Sequence, residues 1–124
     1  MSDLDAVLAR ADANLASSLA TLFDLVRIKS ISTDPAYRED CRAAAAYLVR
    51  YLNGLGFDAS VRETAGNPVV VAHHAGAGPD GPHALFYGHY DVQPVDPLEL
   101  WTHDPVEPAS RDGDNGRKII TGRG

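Results

Sequence analysis

"GHYDVQP", residues 88–94, follows directly on the apolar run Ala84-Leu85-Phe86-Tyr87 and places a histidine and an aspartate two residues apart. Ionisable groups at the end of a buried strand are costly unless they find partners or a metal. His89 and Asp91 are therefore either solvated where a strand ends or one corner of a site. The tripeptide alone favours the first reading, because His-x-Asp recurs in many unrelated chains. Position favours the second, because open α/β sheets place ligand sites just beyond the C-terminal ends of their strands. An imidazole there can ligate zinc through one ring nitrogen. A neighbouring carboxylate can accept a hydrogen bond from the other nitrogen, which fixes the tautomer and raises ligand basicity.

Working back from this stretch, the pattern is helical first and extended afterwards. Leu4, Leu8, Ala11, Leu15, Leu19, Leu22 and Val26 keep one apolar face over residues 3–28, with Ser2 or Asp3 available to cap the start. Asp34-Pro35 is suited to opening a second helix over 36–54, striped by Cys41, Ala45, Leu48, Leu52 and Leu55 and closed by Gly54 or Gly56. Phe57–Glu63 and Pro68–His73 read as strands, "HAGAGPDGP" as a turn-rich connector, and His83–Tyr87 as a short buried strand. Beyond a polar loop, Val106–Ser110 is expected to pair with Lys118–Thr121 around "RDGDNGR". Two helices followed by three or four strands open an α/β domain with a central mixed sheet. No second domain is marked. The chain stops just after a strand, with no helix for the second face of the sheet, so the expectation is an N-terminal fragment with exposed edges and a tendency to associate.

Composition removes several function classes. The 124 residues are 44% hydrophobic and 23% charged, with a formal net charge of −6. The eleven Lys and Arg are dispersed, so there is no basic face for nucleic acid. No apolar run approaches the roughly 20 residues that cross a bilayer, and the N-terminus lacks a signal core. The single cysteine, Cys41, is read as a small core residue, and a reducing, cytoplasmic setting is the simplest expectation.

Other polar residues have plainer readings. His73 and His74 are adjacent on a strand, face opposite ways and do not readily share a metal. His103, Asp96, Glu99 and Glu107 read as solvated loop polarity, and Trp101 as packing that loop against the body.

"YGHYDVQPVDPLELWTHDPVEP" and "DGDNGRKIITGRG" together resemble the N-terminal part of the M20 family of metallopeptidases, in particular its carnosine-dipeptidase-like branch. "LFDLVRIKSISTDP", "YLNGLGFDASV" and "GNPVVVAHH" occur in the family's order, and Val106 departs from it where an aromatic residue is common. The resemblance implies that His89 is the first metal-binding histidine and Asp91 the active-site acid supporting it. It also implies two zinc ions per complete site (manganese or cobalt being alternatives), hydrolysis of a dipeptide or an N-acyl amino acid, and a homodimer for the complete enzyme. The general base, the bridging aspartate, the remaining ligands and the smaller dimerisation domain would lie beyond Gly124. The chain alone is therefore expected to be inactive. The competing readings are an amidase or deacylase of the same superfamily, and a non-catalytic remnant of the fold.

Overall fold

The computed structural model describes residues 1–124. Helix α1 spans Asp3–Val26 and starts at Ser2, whose Oγ accepts from the Asp5 N–H while Asp5 Oδ2 accepts from the Ser2 N–H. This reciprocal capping box satisfies two donors that a helix start otherwise leaves open, and Asp3 and Asp5 also complement the helix dipole. The helix stops at Val26 rather than running to residue 28. Arg27, at its C-cap, turns its guanidinium to Asp24 and Glu107. No residue of α1 is buried, and Leu4, Leu8 and Leu15 are all more than half exposed. The apolar stripe forms as its spacing predicts; Leu4, Leu8 and Leu15 lie uncovered, while Leu19 and Val26 nearer its C-terminal end are half-buried.

Asp34 opens the next helical segment. Its side chain accepts from the Ala36 N–H, and Pro35 needs no donor in a first turn, so a 3₁₀ turn over Pro35–Tyr37 leads into α2, Arg38–Gly54. The C-terminus of α2 is a Schellman motif: the Phe57 N–H reaches the Leu52 carbonyl and the Gly56 N–H that of Asn53. Gly56 takes φ +92°, a conformation that disfavours any side chain.

Strands β1 (Asp58–Arg62) and β2 (Val69–His73) pair antiparallel with Ala59 opposite Ala72. Helix α2 packs on them through Cys41, Ala44 and Ala45, each fully buried, and the small side chains allow close approach. Asn53 locks the junction, accepting from the Ala59 N–H and donating to its carbonyl. Cys41 is thus the core residue its helical position implied. Ala44→Leu is expected to overpack this contact and cost about 1–3 kcal/mol, whereas Ala43→Leu on the exposed face should stay within about 0.5 kcal/mol. Denaturant midpoints of the two variants check this; equal midpoints would mean that α2 does not bear on the sheet through Ala44.

A second ladder joins β3 (Ala109–Asp112) to β4 (Lys118–Thr121), with Gly116 at φ +74° in the turn. The pairing partner of Lys118–Thr121 is shifted from the expected Val106–Ser110. Pro105 and Pro108 lack the N–H a ladder requires, so pairing begins only at Ala109.

His83–Tyr87 departs most from expectation. It pairs with no strand, and Leu85, Phe86 and Tyr87 are 96, 93 and 92% exposed. A strand buried on both faces needs layers above and below it, and α2 is committed to β1 and β2. The mixed sheet is represented here by the two antiparallel ladders and one parallel bridge, Ile31 to Val92. That bridge places the site.

Candidate active site

The segment Ser30–Ser32 leaves α1 extended and runs beside Tyr90–Val92. The Val92 N–H donates to the Ser30 carbonyl at 3.0 Å, and Ser30 Oγ donates to the Tyr90 carbonyl at 2.7 Å. On the other side, the Tyr90 hydroxyl donates to the Pro68 carbonyl, just before β2. Residues 90–92 are therefore pinned between two parts of the chain distant in sequence, with Ser30 and Ile31 buried beneath.

The two residues singled out by spacing meet here. His89 Nδ1 lies 3.2 Å from Asp91 Oδ1 and 2.9 Å from the Asp91 carbonyl. Both neighbours are acceptors, so Nδ1 carries the proton and donates it, and the Nε2 lone pair faces away. The imidazole is 72% exposed and Asp91 44%. Asp91 Oδ2 accepts a hydrogen bond from Ser32 Oγ at 2.5 Å. That hydroxyl is the main reason the Asp91 carboxyl is held below its usual range; His89 adds to the effect, and partial burial opposes it. The charge is felt nearby. Burial pushes the Cys41 thiol up, with Asp91 adding to it, and the Tyr90 phenol is raised by burial, then by Cys41 and Asp91.

An imidazole bonded to a carboxylate through Nδ1 can ligate a metal through Nε2. Of the five histidines, only His89 has this arrangement. No three His, Cys, Asp or Glu side chains converge, so the residues present supply one corner of a metal site rather than the usual three protein ligands. The pair is part of the lining of a mostly apolar cleft of about 1260 Å³, shared with β2 and the 82–91 segment.

The remaining polar residues occupy structural places. β2 ends at His73, and His74 accepts from the Gly76 N–H while its ring lies 5.1 Å from that of Phe57. His103 is not free loop polarity. One ring nitrogen lies 2.8 Å from the Asp104 carbonyl and the other 2.7 Å from Thr121 Oγ1, which ties the loop to β4. Glu107 is likewise not merely solvated: it meets Arg27 at 2.6 Å and is held below the usual carboxylate range by that hydrogen bond. Asp96 and Glu99 remain exposed. Trp101 packs the loop, donating from Nε1 to the Val95 carbonyl beneath the Arg123 guanidinium, which lies 5.0 Å from the ring centre. Ser30 and Ser32 are the site residues that sequence reading missed. Serines in a loop carry no local mark of a partner about sixty positions away.

No family model matches the chain. Among curated relatives, succinyl-diaminopimelate desuccinylase of Cupriavidus necator is 36% identical over 104 residues, which are 80% of this chain and 26% of that protein. The enzyme of the same name from Thiobacillus denitrificans is 39% identical over 103 residues, 82% of this chain and 24% of its own length. The cysteinylglycine-S-conjugate dipeptidase of Corynebacterium striatum is 30% identical over 92 residues, 74% of this chain and 20% of its length. Among solved structures, the dipeptidase Dug1p from Saccharomyces cerevisiae superposes with a TM-score of 0.83 at 24% identity, over 98% of this chain and 27% of that one.

The fold and these relatives define a class: an α/β segment shared by dipeptidases and deacylases. These relatives are M20-family hydrolases, and this chain is similar to an N-terminal part of them. It spans about a quarter of the length of the curated relatives it matches.

Proposed function

We propose that the chain supplies the first metal ligand, His89, and its supporting acid, Asp91, to a zinc-dependent amide hydrolase acting on dipeptides. The observation that carries this reading is the His89–Asp91 pair itself, with Nδ1 on the Asp91 carbonyl and carboxylate, Nε2 facing away, and both residues lining a cleft. A zinc ion bound there would supply Lewis acidity and a water acidic enough to attack a carbonyl near neutral pH. His89 would hold the ion through Nε2. Asp91 would keep the imidazole proton on Nδ1, and Ser30 and Tyr90 would hold the backbone that carries both.

Two zinc ions, with manganese or cobalt as substitutes, and a homodimeric complete enzyme belong to the same proposal by family resemblance. The second reading, deacylation of an N-acyl amino acid, is favoured by the desuccinylases among the relatives. Because one histidine cannot hold a catalytic zinc by itself, the 124-residue chain on its own is expected to turn over neither substrate. The test compares the protein encoded by the complete gene, loaded with zinc, on cysteinylglycine-type dipeptides and on N-succinyl amino acids. Preference for the dipeptides in kcat/KM supports the first reading, preference for the succinyl compounds the second. Hydrolysis of neither, with no metal bound, would overturn both.

A further inference from the structure

The side chain of His89 is 72% exposed, and within the chain its ring hydrogen-bonds only to Asp91. Its orientation rests on two acceptors of that residue, the backbone carbonyl at 2.9 Å and the carboxylate at 3.2 Å, and only the carboxylate can rotate. A carboxylate has two equivalent oxygens and a broad, roughly two-fold torsion, so one donor alone leaves it free to swing. Here each oxygen has its own donor: Oδ1 faces His89 Nδ1 at 3.2 Å, and Oδ2 takes the Ser32 hydroxyl at 2.5 Å. Ser32 is itself fixed. It directly follows Ile31, which is 3% exposed and bridges to Val92, while Ser30 Oγ holds the Tyr90 carbonyl. A hydroxyl has one proton, and this one is directed at Asp91.

We propose that Ser32 is a positioning residue for the His89–Asp91 pair: its hydroxyl anchors one carboxylate oxygen so that the other, together with the Asp91 carbonyl, keeps the proton on His89 Nδ1 and leaves Nε2 open to a metal. The inference rests on His89 being a metal ligand, as in the proposed function. Ser32 acts through Asp91 and touches neither metal nor substrate. Losing such an outer partner should weaken metal binding by roughly tenfold, the low end of the range for groups that orient a ligand.

The experiment uses the protein encoded by the complete gene, with histidine ring nitrogens labelled with nitrogen-15, in Ser32→Ala, Ser32→Thr and Ser32→Val forms. Thr and Val have the same shape, and only Thr keeps the hydroxyl, so this pair isolates the hydrogen bond even where Ala disturbs folding. The His89 signals are identified by their loss in His89→Gln. The ring tautomer is read in the metal-free protein, and zinc affinity by competition with a chelator. The expected result is that Ala and Val move the His89 tautomer away from Nδ1–H and weaken zinc binding about tenfold, while Thr keeps both near wild type. Val matching Thr in both readouts would overturn the role of Ser32. If Asp91→Asn still moves the tautomer in that case, the His89–Asp91 reading stands without Ser32. If His89→Gln leaves zinc affinity unchanged, the metal-ligand reading fails instead, and this inference with it.

Discussion

His89→Ala, made in the protein encoded by the complete gene, is expected to remove stoichiometric metal and lower dipeptide turnover by more than about 100-fold. An outer partner of a ligand costs on the order of 10–100-fold, and loss of the proposed ligand itself would also remove the Lewis acidity that a bound zinc would supply. The side chain is exposed, and its ring bonds only Asp91, so truncation opens no cavity and leaves no buried group stranded. The protein should therefore fold normally, which separates a lost site from a lost fold. Metal content by elemental analysis, turnover and the thermal midpoint are measured together. Wild-type metal content with wild-type turnover would return "GHYDVQP" to a plain strand end. Loss of activity together with a collapsed midpoint would mean that His89 is structural.

Asp91→Asn is expected to cost on the order of 10–100-fold in metal affinity or turnover, less than His89→Ala. The Asp91 carboxyl sits below its usual range because Ser32 donates to it, so it is ionised throughout the neutral range and the substitution removes a full negative charge. It also leaves only one acceptor oxygen for two donors, Ser32 Oγ and His89 Nδ1. If Ser32 keeps that oxygen, the amide turns its own N–H groups toward Nδ1 and competes there with the Asp91 carbonyl, which shifts the imidazole toward the tautomer with its proton on Nε2. On the proposed reading, that tautomer would block the nitrogen that faces the metal. The effect should appear in metal content and kcat more than in KM, because the lost function is orientation of the metal rather than grip on the substrate. A change confined to KM would place Asp91 among substrate contacts instead.

The residues that could be read directly are those whose partners lie within a turn or two. Ser2 or Asp3 at the first helix, Asp34 with Pro35 at the second, and Gly54 or Gly56 at its close are local capping chemistry, and the structure selects Ser2 and Gly56. Cys41 and Ala45 follow the helical repeat into the core. The His89-x-Asp91 spacing is also local, since residues two apart beside an extended chain can meet without help from elsewhere. The strand expected over His83–Tyr87 was not legible in the same way. An apolar run states a preference for burial, but only a neighbouring layer grants it, and in this chain Leu85, Phe86 and Tyr87 have none.

What the sequence determined alone was the α/β order of elements, the caps, and the meeting of His89 with Asp91. Tertiary structure decided which distant groups complete that pair. Ser32 reaches Asp91, Ser30 reaches the Tyr90 carbonyl and the Tyr90 hydroxyl reaches Pro68 only because a parallel bridge at Ile31 and Val92 lays the segments side by side. Arg27 finds Glu107, and His103 finds Thr121, by the same kind of closure. Local spacing fixes which neighbours within a few residues can touch. A hydrogen bond across sixty positions depends on where backbone ladders and packed helices bring the chain back, and no short stretch of sequence carries that information.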